Sequence, residues 1–119
     1  MREGGQPVPP AIVVISCGAR TLDDHVLAGI EEEGVPAVLQ RCSTDDDAHS
    51  LARAAALGSS LGVGVGIDAR GAVSVQHEQL AGAVAGLHSG PVVSVAAART
   101  LGHNAARIVV GIPLRTVAS

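Results

Sequence analysis

Near its start the chain carries an unbroken aliphatic run, Ala11-Ile-Val-Val-Ile15, and an amphipathic helix pattern with a clean stop follows within a few residues. That pair of features constrains the fold more than any other. A β-branched run without polar alternation suits a strand covered on both faces. After Ser16-Cys17-Gly18, Thr21 is placed to cap a helix with Asp24 three residues later, and Asp23 and Asp24 oppose the positive end of its dipole. Leu22, Val26, Leu27 and Ile30 fall on one helical face. Gly34 is placed to end the helix in a left-handed conformation, and Pro36 prevents its return.

The unit then repeats. Ala37 to Gln40 reads as a short second strand. Ser43 or Thr44, followed by Asp45, Asp46 and Asp47, opens a second helix with Ala48, Leu51, Ala52 and Ala55 as its inner face and Gly58 at its close. Leu61 to Ile67 and Ala72 to Val75 are two further strands, and the short Asp68-Ala-Arg-Gly71 connection between them makes a hairpin, so one runs antiparallel to the other. From Glu78 to His88 the spacing of Leu80, Val84 and Leu87 suits a helix, while Gly82 and Gly86 work against it. Pro91 to Ala96 reads as a fifth strand and Asn104 to Val110 as a last helix ended by Gly111 and Pro113. The expected fold is α/β: a three-layer α/β/α domain around a mixed five-stranded sheet with one antiparallel strand. Residues 1–10, with Gly4, Gly5, Pro7, Pro9 and Pro10, form an extended arm, and residues 11–119 a single domain.

Composition bounds the function. The 119 residues include no Phe, Tyr or Trp, and the formal net charge is -3. A mildly acidic chain without aromatics lacks both the basic footprint and the stacking platform of nucleic-acid binders. No apolar run approaches the ~20 residues of a membrane span, and Met1 to Pro10 has no apolar segment of secretory-signal type. Two cysteines, Cys17 and Cys42, are too few for a disulfide scaffold and lack metal-ligand spacing. The expectation is a soluble, reduced, cytoplasmic domain.

The motifs that carry chemistry are few. Gly62, Gly64 and Gly66 have phosphate-loop flavour, but a hairpin follows instead of a helix N-terminus. The plainer reading is a strand face of bare glycine where a helix or a partner backbone approaches closely. Cys17 sits where a thiol nucleophile often sits, yet no base is specified near it, so a packed structural thiol is the better reading. The histidines His25, His49, His77, His88 and His103 show no ligand spacing. Glu31, Glu32 and Glu33 stand at the negative pole of the first helix and repel one another. Either they are a solvated face, or they offer a carboxylate to a cation or an arginine of another chain. No catalytic residue and no cofactor-binding residue is nominated.

Two segments are more specific. Leu27-Ala-Gly-Ile-Glu-Glu-Glu-Gly-Val-Pro36 and Asn104-Ala-Ala-Arg-Ile-Val-Val-Gly-Ile-Pro-Leu-Arg115 resemble the small subunit of the diol and glycerol dehydratase reactivating factors. Val63-Gly-Val-Gly-Ile-Asp68, with Val73-Ser-Val after it, matches more loosely, and Leu80 to Ser89 departs from the family pattern. The resemblance implies an α/β fold like that of the medium subunit of the adenosylcobalamin-dependent dehydratase, and a non-catalytic subunit of an ATP-dependent reactivase complex. It implies two partners, an actin-like ATPase large subunit and the dehydratase, with damaged cobalamin released through subunit exchange. It further implies that a glutamate of the triplet helps hold Mg²⁺ at the interface with the large subunit, which carries the ATP or ADP. Glu32 is the first choice and Glu31 the fallback, and the expected partner surface is Glu31, Glu32, Glu33 and Arg107. Arg107 equally suits a surface arginine near a helix C-terminus. The chain has no cofactor of its own in this reading. It leaves open association with a bacterial microcompartment and self-association when the partner is absent.

Two rival readings remain. One is a medium-subunit-like component of the dehydratase itself, against which the short chain argues. The other is a stand-alone flavodoxin-like ligand-binding domain.

Overall fold

The computed structural model describes residues 9–79, 87–90 and 93–117. Seven elements follow in order: β1 (Ile12–Ser16), α1 (Arg20–Glu32), β2 (Ala37–Arg41), α2 (Ala48–Leu57), β3 (Val63–Ile67), β4 (Val73–His77) and α3 (Val95–Val110). The sheet runs β2-β1-β3-β4, with β1 parallel to both β2 and β3 and β4 antiparallel to β3. The expected hairpin is therefore present.

The fifth strand is not. Ser94 is extended and its side chain accepts from the Ala97 backbone N–H at 3.1 Å, so this cap starts α3 at Val95, inside the run read as a strand. The last helix consequently spans 16 residues instead of seven. Among the described residues the sheet has four strands, plus a single bridge between Ser74 and His88. Two bonds accompany that bridge, from Val75 N to Leu87 O at 2.6 Å and from Ser89 N to Val73 O at 2.9 Å, so residues 87–89 run along the outer edge of β4. Leu87 and His88 are thus not helical. Residues 80–86, the centre of the segment read as a helix, lie outside the described residues, as do residues 1–8 of the arm and Pro91 and Val92 at the start of the strand reading.

Two helices start elsewhere than the capping pattern predicts. α1 begins one residue before Thr21, on Ala19, with no side-chain cap. α2 is capped by Asp47, whose carboxylate accepts from Ser50 N at 2.7 Å, in place of Ser43 or Thr44. Stops were read correctly: Gly34 and Gly111 both take positive φ, 82° and 77°.

A core without aromatic rings needs thin layers, and the sequence supplies them. On one face of β3, Val63, Val65 and Ile67 join Val26, Ile30, Ala98 and Leu101 in the main core beneath α1 and α3. On the other face, Gly64 and Gly66 lie under α2. A Cβ at Gly64 would sit 2.2 Å from the Ala56 nitrogen, and one at Gly66 2.2 Å from the Ala48 oxygen. Ala48, Ala52, Ala55 and Ala56 are buried there. Helix backbone rests directly on strand backbone, so close packing is reached with small side chains. The glycine alternation is a seat for a helix.

Cys17 and Cys42 are joined in a disulfide, with Cα atoms 4.8 Å apart, so Cys17 is not a free packed thiol. The cause is register: Ser16 pairs with Arg41 at the ends of β1 and β2, and the next residue on each strand is a cysteine.

Candidate functional site

The crossing of α1 and α3 positions the glutamate triplet. Gly29 and Gly102 meet there, and a Cβ on Gly29 would lie 2.2 Å from Arg99 O, one on Gly102 2.2 Å from Val26 O. With the helices this close, the last turn of α1 lies against a cationic stripe on α3. Arg99, His103 and Arg107 are spaced i, i+4, i+8 and so share one helix face.

Both carboxylate oxygens of Glu32 are engaged. One is paired with Arg99 Nη2, and the other accepts from Arg99 Nε at 3.3 Å and faces His103 Nε2 at 2.9 Å. Glu33 faces His103 Nδ1 at 2.8 Å and accepts from Arg107 Nε at 2.9 Å, with its side chain 13% exposed. Both nitrogens of the buried His103 ring thus face carboxylates, and both contacts become hydrogen bonds when the ring carries two protons. Glu31 is exposed, and its carboxylate has no hydrogen bond or ion pair among the described residues. The three glutamates divide: two close the helix pair, and one is offered outward.

Arg107 also donates from Nη1 to Pro113 O at 2.9 Å. The buried Asn104 donates to Arg115 O at 3.0 Å and accepts from Arg115 N at 2.7 Å. The second family-like block is therefore a strap, in which side chains of α3 hold the chain after Gly111 back against the helix. Ile112 and Leu114 on it are exposed.

These contacts fix the charge states of the carboxylates. The hydrogen bond from Arg99 holds the Glu32 carboxyl below its ordinary value of 4.5, and those from His103 and then Arg107 do the same for Glu33. A group whose folded pKa is depressed contributes stability above its unfolded pKa and loses it as pH falls through the folded value. The latch is therefore complete above pH 4.5 and opens in acid. Thermal melts from pH 7 down to 3 are expected to show a shallower acid limb for Glu32→Gln/Glu33→Gln than for the wild type, and superimposable limbs would remove this role.

A second cluster escaped sequence reading. Asp23, 1% exposed, accepts from Ser16 Oγ and Arg41 Nη1 and ties α1 to β1 and β2. Two of its members, Ser16 and Arg41, are the register partners just before the cysteines, so strand alignment would have found them. A cleft of about 400 Å³, lined in part by His49, Asp68, Ser74 and His88, opens beside the start of α2. Among the described residues no group of three or more His, Cys, Asp or Glu side chains is placed to hold a metal ion, and no helix is long and apolar enough to cross a membrane.

Sheet order, the glycine-seated helix and the latched α1–α3 pair can now be set beside known proteins. The family model for the dehydratase medium subunit matches residues 9–115, and the chain belongs to that family. Within it, the chain resembles reactivating-factor small subunits. It is 36% identical over 100 residues to a probable glycerol dehydratase-reactivating factor small subunit of Citrobacter freundii, covering 84% of this chain and 85% of that one. It is 34% identical to a propanediol dehydratase-reactivating factor small subunit of the same organism, over 95% and 96% of the two chains. Among solved structures, a glycerol dehydratase reactivase superposes with a TM-score of 0.82 at 30% identity, covering 92% of this chain and all of that one. A diol dehydratase-reactivating factor complexed with ADP and Mg²⁺ gives 0.77 at 35% identity, over 91% and 99% of the chains.

Proposed function

We propose that this chain is the small subunit of a reactivating factor for a glycerol or diol dehydratase. The observation that carries the reading is end-to-end similarity to such subunits, over 95% of this chain and 96% of the relative. In this role it has no catalysis of its own. It pairs with a larger subunit, an actin-like ATPase, and is exchanged during release of damaged cobalamin from the dehydratase, in the cytoplasm where that enzyme works. The ADP and Mg²⁺ of the related complex support nucleotide and cation on the larger partner.

The geometry favours Glu31 over Glu32 as the glutamate that meets the cation. With both oxygens of Glu32 engaged by Arg99 and His103, Glu31 has the free carboxylate. Mg²⁺ keeps several waters and takes one or two protein carboxylates, so a single oxygen donor supplied across an interface suits it. Glu33 and Arg107 then act by shaping the helix pair that presents Glu31.

The test is reconstitution with the ATPase subunit encoded beside a dehydratase. Glu31→Gln is expected to weaken association in saturating Mg²⁺ by about tenfold or more, while Glu32→Gln lowers stability more than affinity. Equal affinities for Glu31→Gln and wild type would remove the cation role. Because the chain has no Trp or Tyr, its concentration must be followed by peptide absorbance or a label.

The family match itself favours one second reading, a medium-subunit-like component of the dehydratase. Absorbance titration with cobalamin separates the two: tight binding by the isolated chain, with no association to the ATPase, would establish the enzyme component.

A further inference from the structure

We propose that Cys17–Cys42 is a site of reversible exchange with low-molecular-weight thiols, and that its oxidation clamps the connection leading into α2. The two half-buried cysteines stand at the ends of adjacent parallel strands. Backbone bonds hold both in place independently of the sulfurs: Cys42 N donates to Ser16 O at 2.9 Å and Cys17 N to Ile67 O at 2.8 Å. Cα atoms 4.8 Å apart lie within the span a disulfide bridges, so reduced thiols stay poised to re-form the bond.

What the bond restrains is equally local. Residues 43–46 have no regular structure and are exposed. Thr44 Oγ1 lies 3.6 Å from Cys17 Sγ, which brings this connection against the cysteine pair. Thr44 and Asp46 otherwise bond to each other, and Asp47 caps α2. The segment between β2 and α2 is therefore fastened at the cysteines and at the cap. Breaking the bond frees the middle while leaving the strands paired, and the cleft wall formed by Asp47, Ala48 and His49 begins where that segment ends.

The chemistry balances with a small thiol such as glutathione as co-reactant. Its thiolate attacks one sulfur, the S–S bond breaks, and the other cysteine leaves as a thiolate that takes a proton. A second thiolate attacks the small-molecule sulfur of the mixed disulfide and expels the remaining cysteine as a thiolate that takes a proton, so two thiols are oxidised to one small disulfide while Cys17 and Cys42 are reduced. Neither cysteine is sealed in the core, both being half-buried, and disulfides that persist in reducing compartments are commonly of this responsive kind.

The test uses the full wild-type chain. Purified in air and denatured without reductant, it is expected to show no titratable thiol. Reduced glutathione should then open the bond and oxidised glutathione restore it, each step read as a gain or loss of two hydrogens by intact mass. Amide exchange over residues 43–48 should accelerate on the order of tenfold in the reduced form while β1 and β3 stay protected. As a second probe, Cys42→Ser should leave one thiol that forms a mixed disulfide with oxidised glutathione. Two free thiols after treatment with oxidised glutathione, a bond that glutathione cannot reduce, or identical exchange over 43–48 in the two forms would each overturn the proposal.

Discussion

Gly29→Ala is expected to destabilise the chain by about 3 kcal/mol or more, the upper end of what overpacking costs. The added methyl would lie 2.2 Å from the Arg99 oxygen and 2.9 Å from the His103 nitrogen. Both are backbone atoms of α3, so no rotamer change relieves the contact and the helices must move apart. For a domain of this size the loss is a large share of a total stability of roughly 5–15 kcal/mol, and a fall in Tm of about 10 °C or more follows. Separation also pulls Glu32 and Glu33 away from Arg99, His103 and Arg107, so the latch and the interface carrying Glu31 weaken together. Gly90→Ala is the control, because a Cβ there meets nothing within 4 Å, and its Tm should match the wild type. Gly29→Ala with a wild-type Tm would mean that α1 and α3 do not cross at Gly29 and Gly102.

That crossing also shows where sequence reading reaches and where it stops. Hydrophobic period alone placed Val26 and Ile30 of α1, and Leu51, Ala52 and Ala55 of α2, in the interior, and all five are buried. The loose glycine alternation was legible too, as a close approach of backbone. The strand reading from Pro91 rests on the β-branched residues before Ser94, and a cap outweighs a propensity once tertiary contacts favour the helix. Glu31 to Glu33 looked self-repelling because the sequence shows one helix at a time. The opposite charges that Glu32 and Glu33 meet lie on α3, 67 to 74 residues away, and which face of α3 turns inward depends on the Gly29–Gly102 contact. Arg99 and His103 lie before Asn104, where the sequence reading starts the last helix, so they do not register as one face with Arg107 until the cap at Ser94 is seen. Asp23 reads only as a dipole residue. Its burial, and its contact with Ser16 and Arg41, appear only when β1 and β2 are aligned.

Arg41→Met is expected to cost about 3 kcal/mol, the low end for breaking a buried ion pair, because Arg41 is itself 38% exposed and part of its charge is solvated. The penalty comes from what stays behind: Asp23, 1% exposed, would keep a carboxylate in the interior with only the Ser16 hydroxyl donating to it. Asp23→Leu leaves a different defect, since Arg41 can turn to water but the fully buried Ser16 hydroxyl loses its acceptor at a cost of about 1–3 kcal/mol. In Asp23→Leu/Arg41→Met neither charge remains, and apolar side chains cover Ser16. The double variant is therefore expected to be more stable than Arg41→Met alone, with a coupling of about 1–3 kcal/mol in a denaturant cycle. Losses that simply add would mean that Asp23 and Arg41 do not sense each other, and that α1 is held to β1 and β2 by apolar packing and the Ser16 hydroxyl alone. Read at fixed redox state, the same cycle separates this ion pair from the neighbouring Cys17–Cys42 bond, because a coupling carried by the carboxylate should persist when the disulfide is reduced.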